Sequence, residues 1–255
     1  MGLNRLSGKV AIITGAAQGI GKGFAIKFVE EGAKVVATDL NLEGLKETVE
    51  GIKKTHGNTI TALKHDVSSE EEWKAVCQKA VERFGGIDLL VNNAAYCSNT
   101  NLFQSTVEIF HKTMNANALG TLLGILAVTP YMQERKAGSI VNMSSIAGLK
   151  GGMGGGCTYS MSKGAITILT KDAAIALAPF KIRVNSIHPS AVLTPALESF
   201  FEQNPHTKEP LMQAIPLNDI SYPIDIANVA VFLASDESRY VTGSQYSVDG
   251  GINAR

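Results

Sequence analysis

The sequence predicts an α/β protein: a doubly wound parallel sheet of about seven strands with helices on both faces, in a single domain over residues 1–255. Three observations predict it. Short runs rich in Val, Ile and Ala alternate along the chain with longer amphipathic stretches. The short runs are apolar almost throughout, as strands covered on both faces must be. No linker-like stretch or internal repeat breaks the alternation, and 255 residues at 45% hydrophobic content suffice to bury one full core.

The elements follow in order. Lys9–Thr14 (KVAIIT) is a strand closed by glycine. The turn TGAAQGIG at 14–21 leads into a helix, Lys22–Glu31, stopped by Gly32. A second strand, Ala33–Asp39, ends on an acid. Helix Leu42–Thr55, strand Thr59–Asp66, helix Ser69–Phe84 and strand Ile87–Asn92 come next. A long helical region, Thr106–Arg135, precedes strand Ser139–Ser144; helix Thr158–Ala178 and strand Lys181–His188 follow. Such alternation implies right-handed βαβ units. Ser190–Ile220, carrying Pro195, Pro205, Pro210 and Pro216, is the least regular stretch. Because it directly follows a strand's C-terminal end, it is expected to be a mobile substrate lid. Helix Pro223–Ser235 and strand Gln245–Val248 close the fold.

Composition excludes some functions. With 23 basic and 23 acidic residues and a pI near 7.0, neither a nucleic-acid nor a membrane-surface partner is expected. Cys77, Cys97 and Cys157 have no CxxC spacing, so reduced thiols in the cytoplasm are the reading. No targeting or membrane segment is expected, since Val10–Ile13 is only strand-length. His56, His65, His111, His188 and His206 show no metal-ligand spacing, and no metal is expected.

Two stretches carry chemistry. A strand, a tight turn with Gly15, Gly19 and Gly21, and a helix together present free N–H groups and a positive dipole end to a phosphate. Asp39, ending the next strand, can accept hydrogen bonds from both adenosine ribose hydroxyls and would repel a 2′-phosphate. No Arg or Lys occurs in Ala16–Gly21 or at Leu40 and Asn41, so the cofactor expected is NAD rather than NADP. Downstream, Tyr159 and Lys163 stand at i and i+4 at the head of a helix, which puts them on one face. Ser144 and Ser145 end a strand and can reach the same space, making a proton-handling site.

The chain resembles the short-chain dehydrogenase/reductase family nearly end to end. The marks are T-G-x-x-x-G-I-G at Thr14–Gly21, Asp66-Val67, N-N-A at Asn92–Ala94, Asn117, Ser145, Y-x-x-x-K at Tyr159–Lys163, Thr194, and V-D-G-G at Val248–Gly251. The resemblance implies a Rossmann-type fold and reversible hydride transfer between a secondary alcohol and NAD. It implies that Tyr159 takes the alcohol proton and Ser145 bonds the substrate oxygen. Lys163 would hold the nicotinamide ribose, and Asn117 would anchor a proton-relay water. Gly15, Gln18, Gly19, Ile20, Gly21, Asp39, Asp66, Val67, Asn93, Ala94, Tyr159, Lys163, Pro189, Val192 and Thr194 would contact the cofactor. A homotetramer built through the long helices flanking the fifth strand is also implied.

A cation roughly 5 Å from a phenol, at an effective dielectric of about 20, contributes around 3 kcal/mol, or some 2 pK units. Lys163, helped by the positive nicotinamide ring, is therefore expected to bring Tyr159 into a useful range.

Three departures from the family pattern stand out. Ala95 replaces a glycine beside the groove, where it is a candidate to alter the backbone. Ser190 replaces a glycine at the entry to the expected lid and is a candidate to stiffen it. The Ser145–Tyr159 loop is one residue longer than usual and holds Gly151, Gly152, Gly154, Gly155 and Gly156. Those glycines are expected to leave volume beside Tyr159 for a bulky substrate, a cyclic secondary alcohol or hydroxysteroid. The alternatives are a 3-oxoacyl-[acyl-carrier-protein] reductase-like enzyme and a non-catalytic NAD-binding scaffold or sensor.

Overall fold

The computed structural model describes residues 3–255. Its strands are β1 (Val10–Thr14), β2 (Lys34–Asp39), β3 (Ile60–Lys64), β4 (Leu89–Asn92), β5 (Gly138–Met143), β6 (Ile182–Pro189) and β7 (Gln245–Val248). They form one sheet, all parallel, in the order β3-β2-β1-β4-β5-β6-β7. The chain runs outward from β1 to β3, then crosses back to lay β4 on the other side of β1. That reversal opens a crevice at the carboxyl ends of β1 and β4, where ligands bind in sheets of this kind.

The helices are α1 (Gly19–Glu30), α2 (Leu42–His56), α3 (Glu70–Phe84), α4 (Val107–Met114), α5 (Gly120–Arg135), α6 (Cys157–Leu177), α7 (Pro195–Gln203), α8 (Lys208–Ala214) and α9 (Pro223–Ala234). They cover both faces, which explains the continuous apolar runs. In β1, Ala11 and Ile13 pack with Phe24 and Phe28 of α1 and Val231 of α9. Val10 and Ile12 pack on the opposite face with Trp73 of α3, Val128 of α5 and Leu177 of α6. Each such Ile or Phe contributes roughly 1.5–3 kcal/mol on burial, so neither face tolerates a polar replacement.

Four differences from the expected elements bear on the site. The α1 helix starts at Gly19, three residues early: Gly19 turns the chain at φ +55° behind an extended Gln18, and Ile20 and Gly21 already belong to the helix. β3 stops at Lys64, leaving His65 and Asp66 at the sheet's carboxyl edge. The Thr106–Arg135 region is interrupted by a π-helical turn, Asn115–Leu119. Segment 190–220 is more regular than its prolines suggested. Pro195 opens α7 behind a Thr194 cap and Pro205 opens a 3₁₀ turn, so these prolines start helices instead of breaking them. Phe201, Ile215 and Ile220 give this segment its own small core. No helix among the described residues is long and apolar enough to cross a membrane.

Candidate active site

Residues from β5, β6, α6 and the loop after β4 converge at the carboxyl edge of the sheet. α6 places Tyr159 in its first turn and Lys163 one turn on, with the Lys163 Nζ 5.5 Å from the Tyr159 ring centroid. Lys163 is only 2% exposed, and its Nζ donates to the Met143 carbonyl at the end of β5, 2.7 Å away. Burial pulls the Lys163 ammonium down to about 8, with the Cys97 side chain opposing. Tyr159 moves the other way. Burial pushes its phenol up to about 12; Cys97 adds to this, and a hydrogen bond with the Ser145 hydroxyl opposes it. Within the protein, burial thus opposes the lowering expected from Lys163 and the positive nicotinamide ring acting together.

The two serines separate cleanly. Ser144 is buried, and its Oγ donates to the Lys163 carbonyl at 2.9 Å and lies 3.0 Å from Thr167 Oγ1, tying β5 to α6. Ser145 is half-buried, accepts from the Ala147 N–H at 3.1 Å, and has its hydroxyl against Tyr159. Its carbonyl lies 3.1 Å from His188 Nδ1, and Nε2 of that ring lies 2.8 Å from Ser186 Oγ. His188, with nothing in the sequence to mark it, is thus a brace under Ser145.

Asn117 sits in the π turn, fully buried. Its Oδ1 accepts from the Tyr96 N–H at 2.7 Å, and its Nδ2 donates to the Tyr96 carbonyl at 3.0 Å and to Ser162 Oγ at 2.8 Å. The amide thereby pins the loop after β4 to α6. A π turn commonly marks a functional position, and here it aims this one side chain across two elements.

The glycine loop is only partly open. A Cβ on Gly155 would lie 2.9 Å from Cγ of Tyr159, and one on Gly156 would lie 3.0 Å from the Thr100 carbonyl carbon. Both residues have positive φ, +77° and +87°. These two glycines are filled by their neighbours and leave no volume, contrary to expectation. Gly151, Gly152 and Gly154 face open space.

Beside this centre runs a cleft of about 420 Å³ between the glycine turn and the loop after β4. Gly15, Gln18, Gly19, Ile20 and Gly21 line one wall, Asp39, Asp66 and Val67 one end, and Asn93, Ala94 and Thr194 the other side. A Cβ on Gly15 would lie 2.8 Å from Ala94 Cα, and one on Gly21 2.6 Å from Asn93 Nδ2, so side chains there would break the turn. Asn93 Nδ2 itself donates to the carbonyls of Thr14 and Gly15 at 2.9 and 3.1 Å. Asp39 accepts from the Ala17 N–H at 3.0 Å and the Asn41 N–H at 2.9 Å, leaving lone pairs towards the cleft. A bare helix start beside a carboxylate suits a dinucleotide, with pyrophosphate at the turn and ribose at Asp39.

Pro189 and Val192 do not line this cleft. Pro189 is paired with Val248, and Val192 is buried in the core. Ala95 lies on the cleft without positive φ, so its methyl is accommodated; the Ser190 N–H donates to Val248 at 3.3 Å, extending the β6–β7 ladder. Among the described residues no group of His, Cys, Asp and Glu is placed to hold a metal.

A family model described as Enoyl-(Acyl carrier protein) reductase matches residues 15–253. The chain belongs to the short-chain dehydrogenase/reductase family. It is 38% identical over 248 residues to a 2,5-dichloro-2,5-cyclohexadiene-1,4-diol dehydrogenase of Sphingobium indicum, covering 97% of each chain. It is also 38% identical to an NADP-dependent (R)-specific alcohol dehydrogenase of Lentilactobacillus kefiri, covering 99% of each. The crystal structure of a levodione reductase superposes with a TM-score of 0.91 at 30% identity, covering 98% of this chain and 99% of the other. As a short-chain dehydrogenase/reductase, the protein is an oxidoreductase of alcohols and ketones that uses a nicotinamide cofactor.

Sequence reasoning missed the supports of this site. Cys97, on the loop after β4, lies 3.6 Å from the Gly155 carbonyl and near enough to act on both Tyr159 and Lys163. Ser162 and Tyr96 hold Asn117, and Lys112 Nζ sits 4.3 Å over the Tyr96 ring. No motif or spacing signals these contacts, which join segments far apart in the chain.

Proposed function

We propose that the protein is an NAD-dependent dehydrogenase of secondary alcohols, reversibly forming the ketone, with a preference for bulky cyclic substrates. The observation that carries the reading is the convergence of Ser145, Tyr159 and Lys163 beside a cleft ended by Asp39. A bound nicotinamide dinucleotide supplies the hydride acceptor and a positive charge that favours the tyrosinate. Ser145 holds the substrate oxygen, and Tyr159 removes its proton; in reduction Tyr159 returns that proton to the carbonyl oxygen. Lys163 sets a buried cation behind the phenol and keeps two further N–H donors for the cofactor ribose. Asn117 fixes the loop on which the substrate rests, and water relayed beside it returns the proton to solvent.

NAD is preferred over NADP because Asp39 puts a negative charge where a 2′-phosphate would lie. The Lentilactobacillus relative is NADP-dependent, so the preference rests on this residue and not on the family. The cyclic-substrate reading rests on the open side of Gly151, Gly152 and Gly154, and the Sphingobium relative acts on a cyclohexadiene diol. Segment 190–220 is assigned as the lid over this side. Leu122 and Leu126 of α5, with Met161, Ile168 and Ile175 of α6, are exposed apolar residues on the helices flanking β5 and support a homotetramer through them. Three free thiols support a reducing, cytoplasmic setting.

The test is a panel of linear and cyclic secondary alcohols and hydroxysteroids, each with NAD and NADP, followed at the reduced-nicotinamide band. Turnover of cyclic alcohols with NAD supports the reading; turnover of small linear alcohols alone, or with NADP alone, overturns it.

A further inference from the structure

A second cavity, of about 600 Å³, lies at the other end of the sheet, under the amino-terminal ends of β1, β4, β5 and β6. Its charges do not balance. It has five cations, Lys9 among them, to two acids: Asp88 meets Arg135 at 3.3 Å and the Val10 N–H at 2.8 Å, while the exposed Asp236 lies 3.8 Å from Lys9 and also acts on Arg183. Lys136, Lys181, Arg183 and Arg239 also line the cavity, and among the described residues none has a carboxylate within 4.0 Å. Arg183 is partly buried, and its guanidinium donates only to backbone carbonyls, those of Ser235 at 3.1 Å and Val241 at 3.4 Å.

Two of these cations occupy a backbone conformation that lysine resists. Lys136 caps α5 with φ +49°, and Lys181 caps the 3₁₀ turn after α6 with φ +61°. Glycine is the usual residue at such caps, because a Cβ there crowds the neighbouring carbonyl. A helix dipole welcomes a cation anywhere in the last turn, so it gives no reason to hold lysine at the one strained position. Yet both strained lysines, from two different helices, line the same cavity. The pattern is of residues kept for their charge against the backbone's preference.

We propose that this cavity is a second ligand site, for a phosphorylated small molecule, separate from the cofactor cleft. Lys136, Lys181, Arg183 and Arg239 hold the phosphate, whose double charge and several acceptor oxygens suit four cations better than a lone carboxylate. Leu89 and Ile182 form an apolar floor for the organic part, and the Tyr240 ring, 93% exposed at the rim, offers a face for it to stack on. The volume is in the range of small-molecule sites.

Inorganic pyrophosphate is the probe, titrated by calorimetry and thermal shift into protein already saturated with NAD, with sulfate at matched ionic strength as control. Saturable pyrophosphate binding that sulfate does not reproduce is expected. The Lys136→Gly/Lys181→Gly double variant is expected to fold at least as stably, since glycine suits both caps, and to bind pyrophosphate at least tenfold more weakly. Arg239→Ala, an exposed change, gives an independent loss. Absence of saturable binding, an equal response to sulfate, competition by further NAD, or unchanged affinity in both variants would each overturn the proposal.

Discussion

Gly155→Ala tests whether the glycine loop holds the catalytic tyrosine in place. A Cβ at this position would lie 2.9 Å from Cγ and 3.0 Å from Cε1 of the Tyr159 ring, well inside ordinary carbon contact. The backbone at φ +77° adds strain of about 1–2 kcal/mol for any residue bearing a Cβ. Relief requires the ring to move by roughly 0.5–1 Å, and a displacement of that size at a reacting group costs about 10²-fold in rate. The expected result is a 30- to 100-fold fall in kcat/KM, roughly in line with that estimate. A Tm lower by a few degrees should accompany it. Gly151→Ala is the internal control, because a Cβ there meets nothing and its φ is ordinary. Steady-state kinetics with one cyclic alcohol and a thermal melt decide the matter. Activity of Gly155→Ala within threefold of wild type would refute the reasoning.

Two further outcomes follow from single residues. Asp39→Asn removes the charge at the ribose end of the cleft, and its one amide oxygen keeps only one of the two N–H groups, of Ala17 and Asn41, that the two carboxylate oxygens accept from; KM for NADP should fall at least about tenfold relative to KM for NAD. An unchanged ratio of the two would show that Asp39 does not select the cofactor. His65, 1% exposed with Nε2 unpartnered, is held neutral by burial and lowered to about 4 from 6.5. The unfolded chain takes up a proton below pH 6.5 that the folded chain refuses until about 4, so stability present above 6.5 is lost as pH falls through that window. The loss should reach about 3 kcal/mol. Urea midpoints at pH 7 and 4.5 should therefore diverge more for wild type than for His65→Gln, and parallel shifts in the two proteins would contradict this.

Much of this was legible in the sequence because the physics behind it is local. A parallel strand covered on both faces needs a continuous apolar run, so β1, β2, β5 and β6 announced themselves. Tyr159 and Lys163 lie on one helical turn, and Gly15 to Gly21 form one turn of chain. What escaped depends on contacts between distant segments. Gly155 and Gly154 look alike in sequence, yet one packs against Tyr159 and the other faces solvent. The brace of His188 under Ser145 spans two strands, and the grip of Asn117 on Tyr96 depends on a π turn with no residue signature. The cation's place beside the phenol was legible because it lies one helical turn away, whereas the burial that raises the phenol depends on segments far apart in the chain.

The central claim is that Tyr159 moves the substrate proton while a nicotinamide dinucleotide, held in the cleft, would supply the hydride acceptor. Tyr159→Phe tests it most directly, since the ring that packs against Gly155 remains and only the hydroxyl is lost. NAD affinity, read by fluorescence titration, should stay within threefold of wild type, and kcat for a cyclic secondary alcohol should fall by about 10³-fold or more. Turnover within tenfold of wild type, with NAD still bound, would contradict the account.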